Sequence, residues 1–501
     1  MKKTTYILTV ALIALLASSC EDFLKANASK SISVDDLYST REGYEDALAG
    51  VYLAAIDESL YGSYATFFVN DLAVVPYNYL TDTKILPVQR HLWSNLYTKT
   101  YTSAIWSAAY NMIANINMEL RYLDSCEGIL TQYEADLMKG ELLGLRAYVH
   151  FDLMRLFGLN SWSGENASKM TVPYVTEFSK DLTLQKSYAE TAEILHSDID
   201  QAAALLEKDV VRSESNAPAN FANSGNINGF WNDRRCRMNY YAVMALKADV
   251  LMWEKDLEGA ASIAKSLADE MLGNGYVVWT DPDAYLNASG DTARNTTFTT
   301  EHIWSLVDRN LSERTSQYMW TTATATRAFV LDPDLVQNLL YPQVDPITGS
   351  NSGAEDIRGY ANLLKYVANG FACHKFYADA LTGEMIYKSP ASNMPMLRLS
   401  QLYYIMAEEA AQNGRNAEAL GYLDVVRAAR GVTEKLSDRA VAKDEIEKEC
   451  YREFIGEGKL IYFLKYRNAS SSLGSKFEMN AEDLVYNYPD DEITFGRNQE
   501  K

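Results

Sequence analysis

Apolar side chains recur at three- and four-residue steps along much of the chain, the spacing that places them on one face of a helix. Gly158 and Gly273 directly follow two of these stretches, and glycine is common just past a helix C-terminus. Pro395 would lie in the first turn of a helix that resumes at Met396, and Asn416 would cap the next one. The pattern predicts helices over residues 34–59, 103–123, 132–157, 188–206, 239–253, 257–272, 397–412, 417–430 and 444–464.

Two segments, residues 61–101 and 274–394, lack this period. The first is rich in tyrosine, asparagine and threonine, and proline, glycine, threonine and asparagine are scattered through the second. We predict loops there, with short strands at 301–307 and 372–377, and an extended tail at 488–493. A long irregular insertion in a compact protein is usually functional. The predicted fold class is therefore mainly α, with a large irregular, loop-rich insertion that carries a few short strands.

Two pairs of predicted helices have short links and small residues at close-packing positions. They are 239–253 with 257–272, and 397–412 with 417–430. Alanine and glycine at such positions let two helices approach closely, as in tetratricopeptide units. The period is not regular through the chain, so we expect a tetratricopeptide-like helical-repeat scaffold.

Composition narrows the classes of partner. The chain has 501 residues, of which 48% are hydrophobic, enough for a buried core. Its 46 basic and 67 acidic side chains give a net charge of −21. A chain this acidic repels phosphate backbones, so we expect no nucleic-acid partner.

The N-terminus has the pattern of an export signal. Lys2 and Lys3 precede an apolar run over residues 6–16, and small residues then lead to Cys20. The run is shorter than the roughly 20 apolar residues that a membrane-spanning helix needs. The segment resembles the lipobox of bacterial lipoproteins, which implies a signal peptide at 1–19, lipid on Cys20 and a tether over 20–33. The alternative is an ordinary secretory signal with a cysteine there by chance.

The sequence shows no catalytic or metal-binding motif. It has no G-x-S-x-G, no H-E-x-x-H and no phosphate-binding glycine loop, and its five histidines form no metal-ligand pair. We expect neither an enzyme nor a cofactor. The widely spaced Cys126, Cys236, Cys373 and Cys450 favour buried free thiols over disulfides.

Several segments together resemble the SusD/RagB-like outer-membrane nutrient-binding lipoproteins of Bacteroidetes. The most specific is GELLGLRAYVHFDLMRLFG at 140–158, followed in the family's order by VPYVT at 172–176. The others are CEDFL at 20–24, WSAAYNMIAN at 106–115, LRLSQ at 397–401, VVRAARG at 425–431, REFIGEGK at 452–459 and YNYPDDEI at 486–493.

The resemblance implies a single domain over 34–501, with helical repeats at about 34–272 and 395–467 and a ligand side at about 274–394. It also implies glycan capture at the outer membrane, facing the cell exterior, and delivery to a SusC-like TonB-dependent transporter. A peptide-binding member of the family and a helical-repeat adaptor that binds only proteins are the alternatives.

Sugars have apolar ring faces and many hydroxyls, so a glycan site needs flat aromatic rings with amides or carboxylates beside them. Such residues should lie on loops held by a rigid scaffold. For any one aromatic ring, the competing interpretation is a packed core residue. The candidate ligand residues in the two irregular segments are Tyr77, Trp93, Asn95, Trp279, Tyr285, Tyr318 and Trp320.

Overall fold

The computed structural model describes residues 33–78, 81–289, 293–319, 329–342, 355–360, 362–367, 370–377, 389–475 and 478–496. The expected signal peptide at 1–19, Cys20 and Trp320 lie outside these residues. Contacts along the chain divide it into two compact units, one ending at Ala47 and the other beginning at Leu48. The single domain expected over 34–501 stays a prediction.

The protein is mostly helical, as expected from the sequence. The helices are α1 (Val34–Leu37), α2 (Arg41–Ala55), α3 (Val69–Val74), α4 (Leu86–Gln89), α5 (Leu96–Leu123), α6 (Gln132–Phe157), α7 (Tyr188–Leu205), α8 (Phe221–Ser224), α9 (Tyr240–Trp253), α10 (Leu257–Gly273), α11 (Pro282–Leu286), α12 (Leu311–Ser316), α13 (Leu399–Gln412), α14 (Asn416–Ala428), α15 (Ala442–Phe454) and α16 (Leu460–Tyr466). Residues 335–340 and 492–496 form short π-helices.

The long helices pack as neighbouring pairs, which confirms the tetratricopeptide-like scaffold. α6 packs between α5 and α7, α9 packs on α10, and α13 packs on α14. α10 also packs on α13, so the two predicted pairs adjoin each other. Capping boxes fix the starts of α6 and α7, where Thr131 and Ser187 each exchange hydrogen bonds with a glutamate three residues later.

The irregular region contributes short antiparallel strands: β1 (Tyr77–Asn78), β2 (His302–Val307), β3 (Val330–Leu331), β4 (Leu364–Val367), β5 (Gly370–Cys373) and β6 (Asn393–Arg398). Four of them form a sheet in the order β1-β3-β5-β4, and β2 pairs with β6. The strand predicted at 301–307 is confirmed. In place of the strand predicted at 372–377, β5 begins at Gly370 and ends at Cys373, so the two ranges share only residues 372 and 373.

Some predictions for local structure were wrong. The segment 61–101 contains α3 and α4, and α5 begins at Leu96 rather than near residue 103. Pro395 lies in β6, opposite Ser305, because pairing with β2 extends the backbone ahead of α13. Asn416 is the first residue of α14 and accepts a hydrogen bond from the amide of Ala442 instead of capping its own helix. The tail forms a π-helical turn at 492–496.

A buried ion network joins the irregular region to the helices. The Arg430 guanidinium lies 2.6 Å from Glu301 Oε1 and 2.6 Å from Glu453 Oε1. Arg358 lies 2.9 Å from Glu453 Oε2, and Arg398 also pairs with Glu453. The network includes Arg430 of the 425–431 segment and Glu453 of the 452–459 segment.

The prediction of buried free thiols is confirmed for Cys126, Cys373 and Cys450; Cys236 is also free but is half-buried. Within the described ranges, no helix combines the length and the apolar character that crossing a membrane requires.

Candidate functional site

Three tyrosine rings stand partly exposed over a buried aromatic floor; we call this group the tyrosine cluster. Tyr64 and Tyr101 meet edge to face, with ring centroids 5.3 Å apart. The ring of Phe68 lies beneath both, 5.5 Å from Tyr64 and 5.3 Å from Tyr101. Tyr318 covers Phe68 at 4.8 Å and Phe329 at 5.4 Å.

The rings come from separate parts of the chain, and main-chain contacts hold them in place. Tyr64 lies in the loop before α3, Tyr101 lies on α5, and Tyr318 follows α12. The amide of Phe329 donates to the carbonyl of Tyr318 over 2.7 Å, which fixes the two rings relative to each other. Arg314 of α12 donates to the carbonyl of Ile56 over 2.9 Å and so ties this helix to the loop that carries Tyr64.

The hydroxyl group of Tyr64 stays protonated at neutral pH. Burial, and then the charges of Glu58 and Asp57, raise the pKa of Tyr64 above its ordinary value. Tyr64 therefore keeps a hydroxyl that can donate or accept, while Glu58 and Asp57 are exposed carboxylates that can only accept. The cluster thus combines apolar ring faces with hydrogen-bond donors and acceptors.

A polar pocket of about 210 Å³ adjoins the cluster at Tyr77. The ring of Tyr77 stacks on Phe329 at 4.7 Å and also lines the pocket. The side-chain amide of Gln89 donates to the Tyr77 carbonyl over 2.9 Å. Other polar side chains around this pocket are Asn78, Arg90, His91, Asp332, Ser472 and Ser475.

Two family models match most of the chain. The model described as "Starch-binding associating with outer membrane" matches residues 45–226, and the model described as "SusD family" matches residues 263–499. The chain belongs to the SusD/RagB-like family.

Two SusD-like proteins of Formosa agariphila are similar in sequence to this SusD-like chain. SusD-like protein P38 is 28% identical over 211 residues, which are 40% of this chain and 37% of the relative. SusD-like protein P25 is 24% identical over 147 residues, 28% of each chain. The alignments therefore span about a third of the length of these curated relatives.

Solved structures share the fold. A SusD superfamily protein from Bacteroides thetaiotaomicron has a TM-score of 0.67 at 19% identity, over 91% of this chain and 98% of that chain. A SusD-like carbohydrate binding protein from Bacteroides vulgatus has a TM-score of 0.66 at 16% identity, over 91% and 96%. The NanU protein of B. fragilis has a TM-score of 0.60 at 16% identity, over 92% and 95%. At these identities the likeness concerns the fold alone.

The predicted ligand residues of the SusD-like chain lie in different surroundings. Tyr318 belongs to the tyrosine cluster, and Tyr77 is 5% exposed at its inner edge. Trp93 is buried, donates its indole N–H to the Asp483 carbonyl over 2.6 Å and packs on Tyr486. Tyr285 is buried against Phe298 and Ile357 in a small core group.

The other two described candidates are partly exposed. Asn95 caps α5, where its side chain accepts a hydrogen bond from the amide of Tyr97 over 2.9 Å. Trp279 makes its ring contact with Tyr403 of α13 and has no ring contact with the tyrosine cluster within the described residues. Of the six candidates that lie in the described part of the chain, the structure brings Tyr318 and Tyr77 together, since both rings pack on Phe329.

Sequence reasoning missed Tyr64 and Tyr101 as candidates. Both lie within the irregular segment 61–101, which the sequence already marked as rich in tyrosine. Neither stands out there, because only the packing against Phe68 and Tyr318 distinguishes these two rings from the other tyrosines of the segment.

Proposed function

We propose that the chain binds an oligo- or polysaccharide at the tyrosine cluster, without chemical conversion, and delivers it to a SusC-like TonB-dependent transporter. The observation that carries this proposal is the group of three partly exposed rings, Tyr64, Tyr101 and Tyr318, on a rigid aromatic floor. Membership of a family whose model is described as starch-binding supports a glycan ligand.

The cluster suits a sugar because its rings are already ordered. Edge-to-face contacts hold Tyr64 and Tyr101, so little side-chain entropy is lost when a sugar ring stacks on them. The carboxylates of Asp57 and Glu58 can accept hydrogen bonds from sugar hydroxyls. The pocket beyond Tyr77 extends this surface with amide, hydroxyl and guanidinium groups. Trp320, two residues after Tyr318, stays a predicted ligand contact.

A binding screen on the soluble chain from residue 21 onward tests the proposal. Native gels that contain amylopectin, xylan, laminarin or pectin should retard the protein in at least one case. Tyr318→Ala and Tyr101→Ala should weaken that binding about tenfold, equivalent to about 1.4 kcal/mol, because each removes a stacking face. The control is Phe178→Ala, which removes an exposed ring outside the cluster.

Two results would contradict the glycan proposal. One is normal migration of the unaltered chain in every gel; binding to a peptide library in the same screen would then favour the peptide-binding alternative. The other is retardation that Tyr318→Ala and Tyr101→Ala leave unchanged, which would place the site elsewhere.

We also propose that lipid on Cys20 holds the protein at the outer membrane, on the exterior face. Acyl chains contribute about 0.8 kcal/mol per buried CH₂, so lipidation at this cysteine is enough for stable anchoring when several chains are attached. Cys20→Ala should move the protein from the membrane fraction to the soluble fraction and leave its glycan affinity unchanged. A Cys20→Ala protein that stays with membranes in cells lacking the transporter would rule out this anchor.

A further inference from the structure

A second group of exposed aromatic rings lies on the helical scaffold, formed by Trp279, Tyr403 and Tyr422; we call it the helix-face patch. The Trp279 and Tyr403 ring centroids are 5.1 Å apart at 67°, and those of Tyr403 and Tyr422 are 6.4 Å apart at 75°. All three rings are partly exposed. Val278 and Val425, beside the two ends of the patch, are 56% and 40% exposed.

The helix-face patch is held by the two packed helix pairs. Tyr403 lies on α13 and Tyr422 on α14, and α10 packs on α13 directly before the loop that carries Trp279. The backbone is fixed on both sides of Trp279: the Val278 amide donates to the Thr300 carbonyl over 2.9 Å, and the Thr280 amide donates to Glu301 Oε1 over 3.0 Å. The rings are therefore positioned before any ligand arrives.

Charged groups lie beside the two tyrosines of the patch. The Tyr422 hydroxyl donates to Glu418 Oε1 over 3.2 Å. Lys265 and Asp269 of α10 pair over 2.9 Å next to Tyr403, whose pKa is raised by burial and then by the Asp269 charge. Protein interfaces exclude charged side chains from their cores. Apolar ring faces interleaved with carboxylates and an ammonium group match the alternating C–H faces and hydroxyls of a sugar chain.

We propose that the helix-face patch is a second sugar-binding surface, which holds another segment of a long polysaccharide that the tyrosine cluster also binds. This proposal rests on glycan binding as the function of the chain. Two attachment points on one polymer make the second contact intramolecular, so the polymer is retained more strongly than a short oligosaccharide. Exposed aromatic surfaces of this kind commonly mark interaction sites.

The test uses the doubly substituted Trp279→Ala/Tyr422→Ala chain in gels that contain amylopectin, xylan, laminarin or pectin. We expect its affinity for the retarding polysaccharide to fall about tenfold, while a hexasaccharide cut from the same polymer binds the tyrosine cluster as before. Tyr318→Ala should weaken the binding of the polysaccharide and of the hexasaccharide alike. Trp279→Phe/Tyr422→Phe, which keeps both rings, should restore most of the polymer affinity. Phe178→Ala is the matched exposed-ring control.

Retardation of the double alanine variant equal to that of the unaltered chain would overturn the helix-face patch as a sugar surface. So would an effect confined to copurification of a protein partner, because the patch would then be a protein interface. In both cases Tyr318→Ala should still bind the glycan more weakly than the unaltered chain does. Failure of the second surface is therefore distinguishable from failure of the primary glycan site. A thermal melt of each variant verifies that the altered chain is folded.

Discussion

Single residues in the core have defined protonation states that their neighbours impose. His150 is fully buried, and its Nε2 accepts a hydrogen bond from the Val175 amide over 3.0 Å. The other ring nitrogen, Nδ1, lies 2.9 Å from the Arg146 carbonyl, which only accepts, so Nδ1 carries the proton. Burial, and the positive charge of Arg146, lower the pKa of this imidazole from 6.5 to about 3. His150 is therefore neutral in the folded protein.

This neutral histidine predicts a loss of stability in mild acid. The unfolded chain takes up a proton near pH 6.5 and the folded chain does so only near pH 3, so stability falls as the pH drops through that window. Between pH 7 and pH 5, His150 lowers the free energy of unfolding by roughly 2 kcal/mol, because each pKa unit corresponds to about 1.36 kcal/mol. Urea unfolding at both pH values should show a steeper loss for the unaltered chain than for His150→Gln. Equal losses would contradict this assignment.

At the scale of elements, the break between α15 and α16 shows how a distant residue ends a helix. The sequence predicts one helix over 444–464, but Gly456 and Gly458 have φ of 89° and 72°. Their amides both donate to the carboxyl group of Asp71, which is buried on α3. These two hydrogen bonds take the N–H groups out of a continuous helix and turn the chain towards α3.

Gly458→Ala should destabilise the protein by about 2 kcal/mol or more, because a backbone at this φ strains any residue with a Cβ. The added Cβ would also lie 2.5 Å from Thr66 Cα, and a main-chain atom cannot move aside cheaply. Gly421→Ala is the control: Gly421 lies within α14 with open space around it, so this variant should gain about 0.5–1 kcal/mol. Chemical denaturation of both variants measures the difference, and similar stabilities would refute the strain argument.

At the scale of the whole molecule, the buried charges around Glu453 connect parts of the chain that are far apart in sequence. Glu301 and Arg358 come from the irregular region, whereas Arg430 lies in the turn after α14 and Glu453 lies on α15. Burial raises the pKa of Glu453, but Arg430, Arg398 and Arg358 outweigh it and hold that pKa well below the ordinary value. Glu453 is therefore ionised, and the three arginines balance its negative charge. These ion pairs fix the irregular region to the helical scaffold.

Glu453→Gln should cost about 3–5 kcal/mol of unfolding free energy, because three buried guanidinium groups lose the negative charge that they share. The matched control is Asp490→Asn, which breaks the exposed pair with Lys99 and should change stability by less than about 1 kcal/mol. Urea titrations of the two variants test this contrast. A near-neutral effect of Glu453→Gln would mean that the network contributes little to stability.

The sequence by itself determined the helical scaffold, because the burial of one helix face is encoded locally at three- and four-residue spacing. α6 begins and ends where the pattern placed it, and α7, α9 and α10 differ by one residue at an end. Motif order also determined the family, since the 140–158 and 452–459 segments are continuous in the chain. These features depend on residues close in sequence.

Only the tertiary structure decided which aromatic rings reach the surface. Trp93 and Tyr318 both lie in polar, irregular surroundings, yet Asp483 and Tyr486, about 390 residues away, cover the first. The same holds for the strand at Pro395 and for the helix break at Gly456, which β2 and Asp71 impose from a distance. The exposure of a ring depends on what packs over it, and local sequence carries no record of a partner hundreds of residues away.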